Sequence, residues 1–311
     1  MAFAPLVCAK EKKAMHEFFH LLGHSILHTL EDTVKVVPFL FLTYLLMEFL
    51  EHKANGAPER WLRGSGKVGP LIGGALGVLP QCGFSAAATG FYTGRMITTG
   101  TLIAVYLSTS DEMLPILISS GAPIGTICKL LATKLVIGVS AGFAIDGITR
   151  LLCKGKKAEQ EPQIEELCER ENCACGDRFV LSALKHTAYI TVFLLLFTFV
   201  LNLGIEFIGE ENIKNVVLNR PVLGSFLAAL VGLIPNCASS VALTSLFVDG
   251  VLSGGALLSG LMVNAGVGLA ILFRNNRPIK DSLRVVGILF GVSVLCGILI
   301  DLTALGLWIA K

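Results

Sequence analysis

Two cysteines stand in the same local context in this chain. "LPQCGFS" places Cys82 two residues after Pro80, and "IPNCASS" places Cys237 two residues after Pro235. A thiolate is a ligand for a soft metal or trivalent arsenic, whereas a lone free cysteine is more often a small buried hydrophobe. Two of them at equivalent places, each beside a helix-breaking proline, favour the ligand reading. Gln81, Asn236, Ser85, Ser239 and Ser240 add polar atoms next to the thiols. Those atoms either touch a cargo or satisfy backbone groups that the prolines set loose. A second cluster is "LSTSDEMLP", where Asp111 and Glu112 interrupt a run otherwise uncharged from Met96 to Cys128. Carboxylates inside a bilayer are costly and normally mark an ion or proton path; the plainer alternative is a hairpin tip that carries them into water. The corresponding segment "MVNAGVG" has no acid and sets Asn264 opposite Thr109.

At the amino end His16, His20, His24 and His28 recur every four residues. Each such step advances about 40° around an α-helix, so the four imidazoles form one strip of about 120°. Histidines one turn apart chelate a divalent transition metal, with an interfacial amphipathic helix as the competing reading. Cys153, Cys168, Cys173 and Cys175 lie among glutamates, but their spacing is not that of a paired CxxC zinc module. A charged tether accounts for them as well.

The elements that must position these groups lie in lipid. Hydrophobic residues make up 53% of the 311 and charged residues 15%, a balance far from that of soluble domains, and the mean hydropathy is +0.72. Uncharged runs of 27 residues (68–94) and 28 residues (221–248) exceed the roughly 20 residues that cross a bilayer. Further apolar blocks near 33–50, 96–120, 135–150, 186–205, 250–273 and 285–309 bring the count to eight. The apolar start is too short for a signal peptide and has its lysines on the wrong side, so nothing is expected to be cleaved. With a net charge of +2 and no basic stripe carrying interleaved aromatics, nucleic-acid binding is not expected. No P-loop or HExxH motif occurs, so neither direct ATP drive nor metallohydrolase chemistry is expected.

A repeat organises the blocks. At a fixed offset of 155, Pro80 pairs with Pro235, Cys82 with Cys237, Ser85 with Ser240, Gly100 with Gly255 and Asp146 with Asp301. Lys and Arg crowd the loop at 52–68 but not its equivalent at 207–223, and crowd 274–284 but not 119–129. Because such residues mark the cytoplasmic side of short loops, equivalent loops face opposite sides, as in an inverted repeat. The expected fold is therefore an all-α polytopic membrane protein of about 8–10 membrane segments, with two inverted repeats and broken or re-entrant helices. Its parts are a His-rich amphipathic helix (1–32), repeat 1 (33–150), a charged linker (151–180) and repeat 2 (181–311). Broken helices in two inverted halves meet at a site near the midplane.

With "LPQCGFSAAATGFYTGR", "LSTSDEMLP" and "GLIPNCASSVALTSLFVDG" in place, the chain resembles the ten-span heavy-metal exporter family, whose members are labelled arsenic efflux proteins or manganese transporters. That family is distantly similar to the arsenic permeases. The resemblance runs from about residue 14 to the end and implies export; the arsenic permeases carry more than one thiol per motif, where each motif here holds one. The histidines and acids point instead to a divalent transition ion. The expectation is a secondary-active, multi-pass exporter of the plasma membrane, not an enzyme. Cys82, Cys237 and the polar residues beside them, together with Thr109 and Asn264, bind cargo, and Asp111 or Glu112 exchanges a proton. No resident cofactor is expected beyond a transported metal ion. The expected partners are a small ionic substrate, the bilayer and, as an option, a second copy of the chain. A metal sensor and an intramembrane cysteine enzyme are the competing classes.

Overall fold

A computed structural model describes parts of 23–45 and residues 68–79, 82–110, 113–152, 179–208, 221–276 and 278–303. Every element among the described residues is a helix. In chain order they are α1 (Gly69–Gly77), α2 (Cys82–Thr93), α3 (Thr99–Ser108), α4 (Met113–Ser119), α5 (Ile124–Leu152), α6 (Phe179–Ile208), α7 (Pro221–Gly232), α8 (Cys237–Val248), α9 (Gly254–Val263), α10 (Val267–Asn275) and α11 (Ile279–Leu302). Five stretches are long and apolar enough to cross a membrane: Thr99–Ser119, Ile124–Leu151, Ala183–Val200, Gly254–Asn275 and Ile279–Leu302. The protein is a polytopic membrane protein.

Among α1–α11 there are two kinds of helix. With 24 to 30 residues each, α5, α6 and α11 are about 36–45 Å long, enough to cross about 30 Å of hydrocarbon. The other helices have 7 to 12 residues, about 10–18 Å, and none crosses alone. The long helices expose apolar side chains such as Val136, Phe143, Val192, Leu196, Leu295 and Leu299, as lipid contact requires. The broken spans are interior: 94% of the window in Gly254–Asn275 is buried, against 28% in Ile279–Leu302. Protein, not lipid, therefore surrounds the break within Gly254–Asn275, which is the condition for non-helical backbone at membrane depth.

The starts of α2, α3 and α5 recur as those of α8, α9 and α11 at an offset of 155. The caps recur with them. Thr98 Oγ1 accepts the amide of Thr101 at 3.1 Å, and Ser253 Oγ accepts that of Ala256 at 3.2 Å, each satisfying a helix-start donor. Packing follows the same plan: α3 lies between α1 and α5, and α9 between α7 and α11. The halves interlock, since α2 packs on α10 and α8 on α4.

Candidate functional site

The breaks gather the polar residues. Between α7 and α8, Asn236 caps α8, its Oδ1 accepting the amide of Ala238 at 3.3 Å. Between α9 and α10, Asn264 ends α9 in extended conformation and Gly266 turns the chain with φ 52°, a left-handed backbone that glycine adopts without penalty. Asn264 Nδ2 donates to Ser239 Oγ at 3.0 Å and reaches the Asn236 carbonyl at 3.5 Å, while its Oδ1 accepts the Gly266 amide at 2.9 Å. Ser239 in turn donates to the Asn236 carbonyl at 2.7 Å. Two breaks of one half are thus tied by one amide side chain. Cys237 begins α8 beside them, buried and in no disulfide.

In the other half, α2 begins at Cys82, and Thr109 is the C-cap residue just past the end of α3. Thr109 Oγ1 donates to the Val105 carbonyl at 2.7 Å. Ser85 and Ser240 are both buried, and their carbonyls accept from Thr89 Oγ1 at 2.6 Å and Thr244 Oγ1 at 2.7 Å. Ser240 Oγ is committed to the Cys237 carbonyl at 2.8 Å. The Ser240 hydroxyl therefore serves the start of α8. Thr89 also bonds Tyr106 Oη at 2.6 Å and the Gly268 carbonyl of the opposite half at 3.3 Å.

Asn236, Ser239 and Asn264 come together, with Cys237 adjacent in sequence. Gln81, the side chain of Cys82, Asp111, Glu112 and the strip His16, His20, His24 and His28 lie outside the described residues. Among the described residues no three His, Cys, Asp or Glu side chains converge.

One residue at the site is not in the sequence-based set. Lys134, fully buried in α5, donates through Nζ to the Thr109 carbonyl and reaches the Leu261 carbonyl of the opposite half at 3.4 Å. It is a single basic residue in "LLATKLVIG", and an ionisable group deep in a span is the signal that could have found it. A further inter-half tie joins α2 to α11. Tyr92 Oη donates to Asp281 Oδ2 at 2.8 Å, Asn276 Nδ2 donates to the same oxygen at 3.0 Å, and Arg95 lies 3.9 Å from it.

Beside the α7–α8 break lies an apolar cavity of about 450 Å³, lined among others by Phe193, Phe197, Pro235, Leu269, Phe273 and Arg274. The guanidinium of Arg274 sits 4.5 Å above the Phe193 ring, a cation–π contact.

A family model described as "Putative, 10TM heavy-metal exporter" matches residues 22–186, just over half of the chain. No curated protein and no solved structure matches it. The matched stretch contains the first proline break, the acidic break and Lys134. The chain belongs to this ten-span heavy-metal exporter family.

Proposed function

We propose that the protein is a secondary-active exporter of a heavy-metal or divalent transition-metal ion, working by rocking of one half against the other in the plasma membrane. The observation that carries this reading is the Asn264 bridge between two interior helix breaks. Broken, protein-enclosed backbone with a polar side chain across it is what a midplane cargo site needs, and a purely structural bundle has no use for it. Cys82, Cys237, Gln81, Asn236, Ser239, Asn264 and Thr109 are the proposed cargo contacts, with Ser85 and Ser240 shaping the helix starts beneath them. Asp111 and Glu112 are the proposed proton carriers, and the histidine strip is a proposed capture site for the metal. The opposite charge bias of equivalent loops supports an inverted relation of the halves. A sensor would bind metal without moving it, and an enzyme would turn a substrate over. Reconstituted vesicles separate the three: a transporter moves manganese(II), zinc(II) or arsenite across the bilayer, and absence of any flux beside intact binding would overturn this reading.

A second reading has its own support. The aromatic cavity at the α7–α8 break is superfluous for a bare ion but accommodates an organic group, so efflux of an organoarsenical is the alternative. Competition of such a compound against manganese(II) flux distinguishes the two.

A further inference from the structure

The cavity beside the α7–α8 break has a single charged residue in its lining, Arg274. Along α10 the lining runs from Leu269 to Arg274, about 7.5 Å of helix axis. Arg274 lies in the last turn, where the chain is about to enter α11, and Pro235 brings the wall to the helix break. The space therefore reaches from the end of a half-helix to the broken backbone. Its other walls, Phe193 and Phe197 of α6 and Val286 of α11, are apolar, and Phe273 at its edge is 43% exposed. A volume of about 450 Å³ lies in the range of pockets that hold organic ligands.

The guanidinium of Arg274 is partly buried and lies over the Phe193 ring. Contact through its face leaves the N–H donors, which lie in its plane, free to bond. Among the described residues no carboxylate pairs with Arg274 and no oxygen accepts from it, although a charge at membrane depth is costly and is normally paired. The position is not dictated by the repeat, since its equivalent in the first half is Ser119. Arg277, Lys280 and Arg284 follow in sequence, and Lys280 and Arg284 are exposed. Such a cluster marks the cytoplasmic side, where the leaflet is rich in anionic lipid and basic pockets between helices bind its head groups. A soluble anion would use the guanidinium without the aromatic walls, and a zwitterionic lipid the walls with little gain from the charge. An anionic phospholipid uses both.

We propose that the cavity holds an acyl chain of an anionic phospholipid of the cytoplasmic leaflet, with Arg274 bonded to its phosphodiester. The planar guanidinium matches two phosphate oxygens at once, and the chain lies along Phe193 and Phe197 towards Pro235. This goes beyond the exporter reading and does not rest on it. It also departs from the second reading, in which an organic cargo fills the same space.

The test titrates full-length protein in detergent with phosphatidylglycerol, with phosphatidylcholine of the same chains and with glycerol phosphate, and counts bound ligand by native mass spectrometry. The wild type is expected to prefer phosphatidylglycerol over phosphatidylcholine by about ten-fold, as one charge-assisted contact allows, and not to retain glycerol phosphate. Arg274→Gln is expected to bind the two lipids within about two-fold of each other. Arg284→Gln removes an exposed cation outside the lining and is expected to keep the wild-type preference. Val286→Phe, which fills part of the space, is expected to lose phosphatidylglycerol about five-fold or more. Equal binding of the two lipids by the wild type, or a wild-type preference in Arg274→Gln, would overturn the proposal. So would loss of the preference in Arg284→Gln, which would show general surface attraction, or retention of glycerol phosphate as tightly as the lipid. Tighter binding of phenylarsonic acid than of phosphatidylglycerol would overturn it in favour of the second reading. Should one of Arg274→Gln and Val286→Phe not fold, the other decides. No metal ion enters these measurements, so their outcome is separate from that of the exporter reading.

Discussion

Asp146 and Asp301, 155 residues apart, hold the start of a half-helix by the same two bonds. Asp146 accepts the Gly100 amide at 2.9 Å and the Thr98 hydroxyl at 2.7 Å; Asp301 accepts the Gly255 amide at 2.8 Å and the Ser253 hydroxyl at 2.7 Å. Each carboxylate ties a long outer helix to the capped start of an interior broken one. Bonds of this kind to a charged group contribute about 1.5–3 kcal/mol. Asp146→Ala and Asp301→Ala are each expected to cost about that much, read as a lower unfolding midpoint in detergent, with similar losses at the two positions.

The same crossings depend on close backbone approach. A methyl at Gly100 would overlap the Gly142 carbonyl and the Asp146 carboxylate, and one at Gly255 would overlap the Gly297 carbonyl and the Asp301 carboxylate. Gly100→Ala and Gly255→Ala are expected to destabilise by about 1–3 kcal/mol through overpacking. Gly147→Ala, where nothing lies within 4 Å, is the control expected to leave the midpoint unchanged or slightly raised. Equal midpoints in all three variants would refute the crossing geometry.

Asn264 and Ser240 differ in a testable way. Asn264 joins two breaks, whereas Ser240 bonds backbone of its own helix. Asn264→Ala is expected to cost about 1–3 kcal/mol and to weaken manganese(II) binding, measured by calorimetry on purified protein. Ser240→Ala is expected to change binding much less.

The tie between Tyr92 and Asp281 has no equivalent in the second half, where Phe247 and Gly250 stand for Tyr92 and Arg95. Arg95 holds φ 59°, and Gly250 at the equivalent turn holds φ 73°. A non-glycine residue there costs about 1–2 kcal/mol, while the largely buried pair Arg95–Asp281 meets at 3.9 Å, beyond hydrogen-bond distance. Arg95→Gly is therefore expected to be neutral or stabilising. Asp281→Ala, which removes the acceptor of both Tyr92 and Asn276, is expected to lower the midpoint. The two variants are compared by unfolding in the same detergent.

How much of this was legible follows from which signals are local. Pro80 and Pro235 announce breaks because proline removes a backbone donor wherever it sits, and α8 does begin just past Pro235. The break at 264–266 carries no proline, and the block at 250–273 reads as one span; only its alignment with the acidic segment and the glycine at 266 hint at the turn. Asp146 and Asp301 are visible as a repeated pair, but their partners come from helix crossings that no spacing reveals. Asn264 and Thr109 stand out as an unlike pair at one repeat position, whereas the tie from Asn264 to Ser239 depends on how α8 and α9 pack. Lys134 is one of four charged residues in α5, beside Lys129, Asp146 and Arg150, and its acceptors, one in each half, are joined only by the fold.

The central claim is that a heavy-metal ion crosses at the place where the broken helices meet. The most direct measurement is uptake of manganese(II), zinc(II) and arsenite into liposomes under an imposed proton gradient, with wild-type protein and with the folded variant carrying Cys82→Ala and Cys237→Ala. The account predicts that the wild type accumulates at least one of the three and that the double variant is slower by about ten-fold or more. Flux of the double variant at the wild-type rate, or no flux of any ion by the wild type, would contradict it.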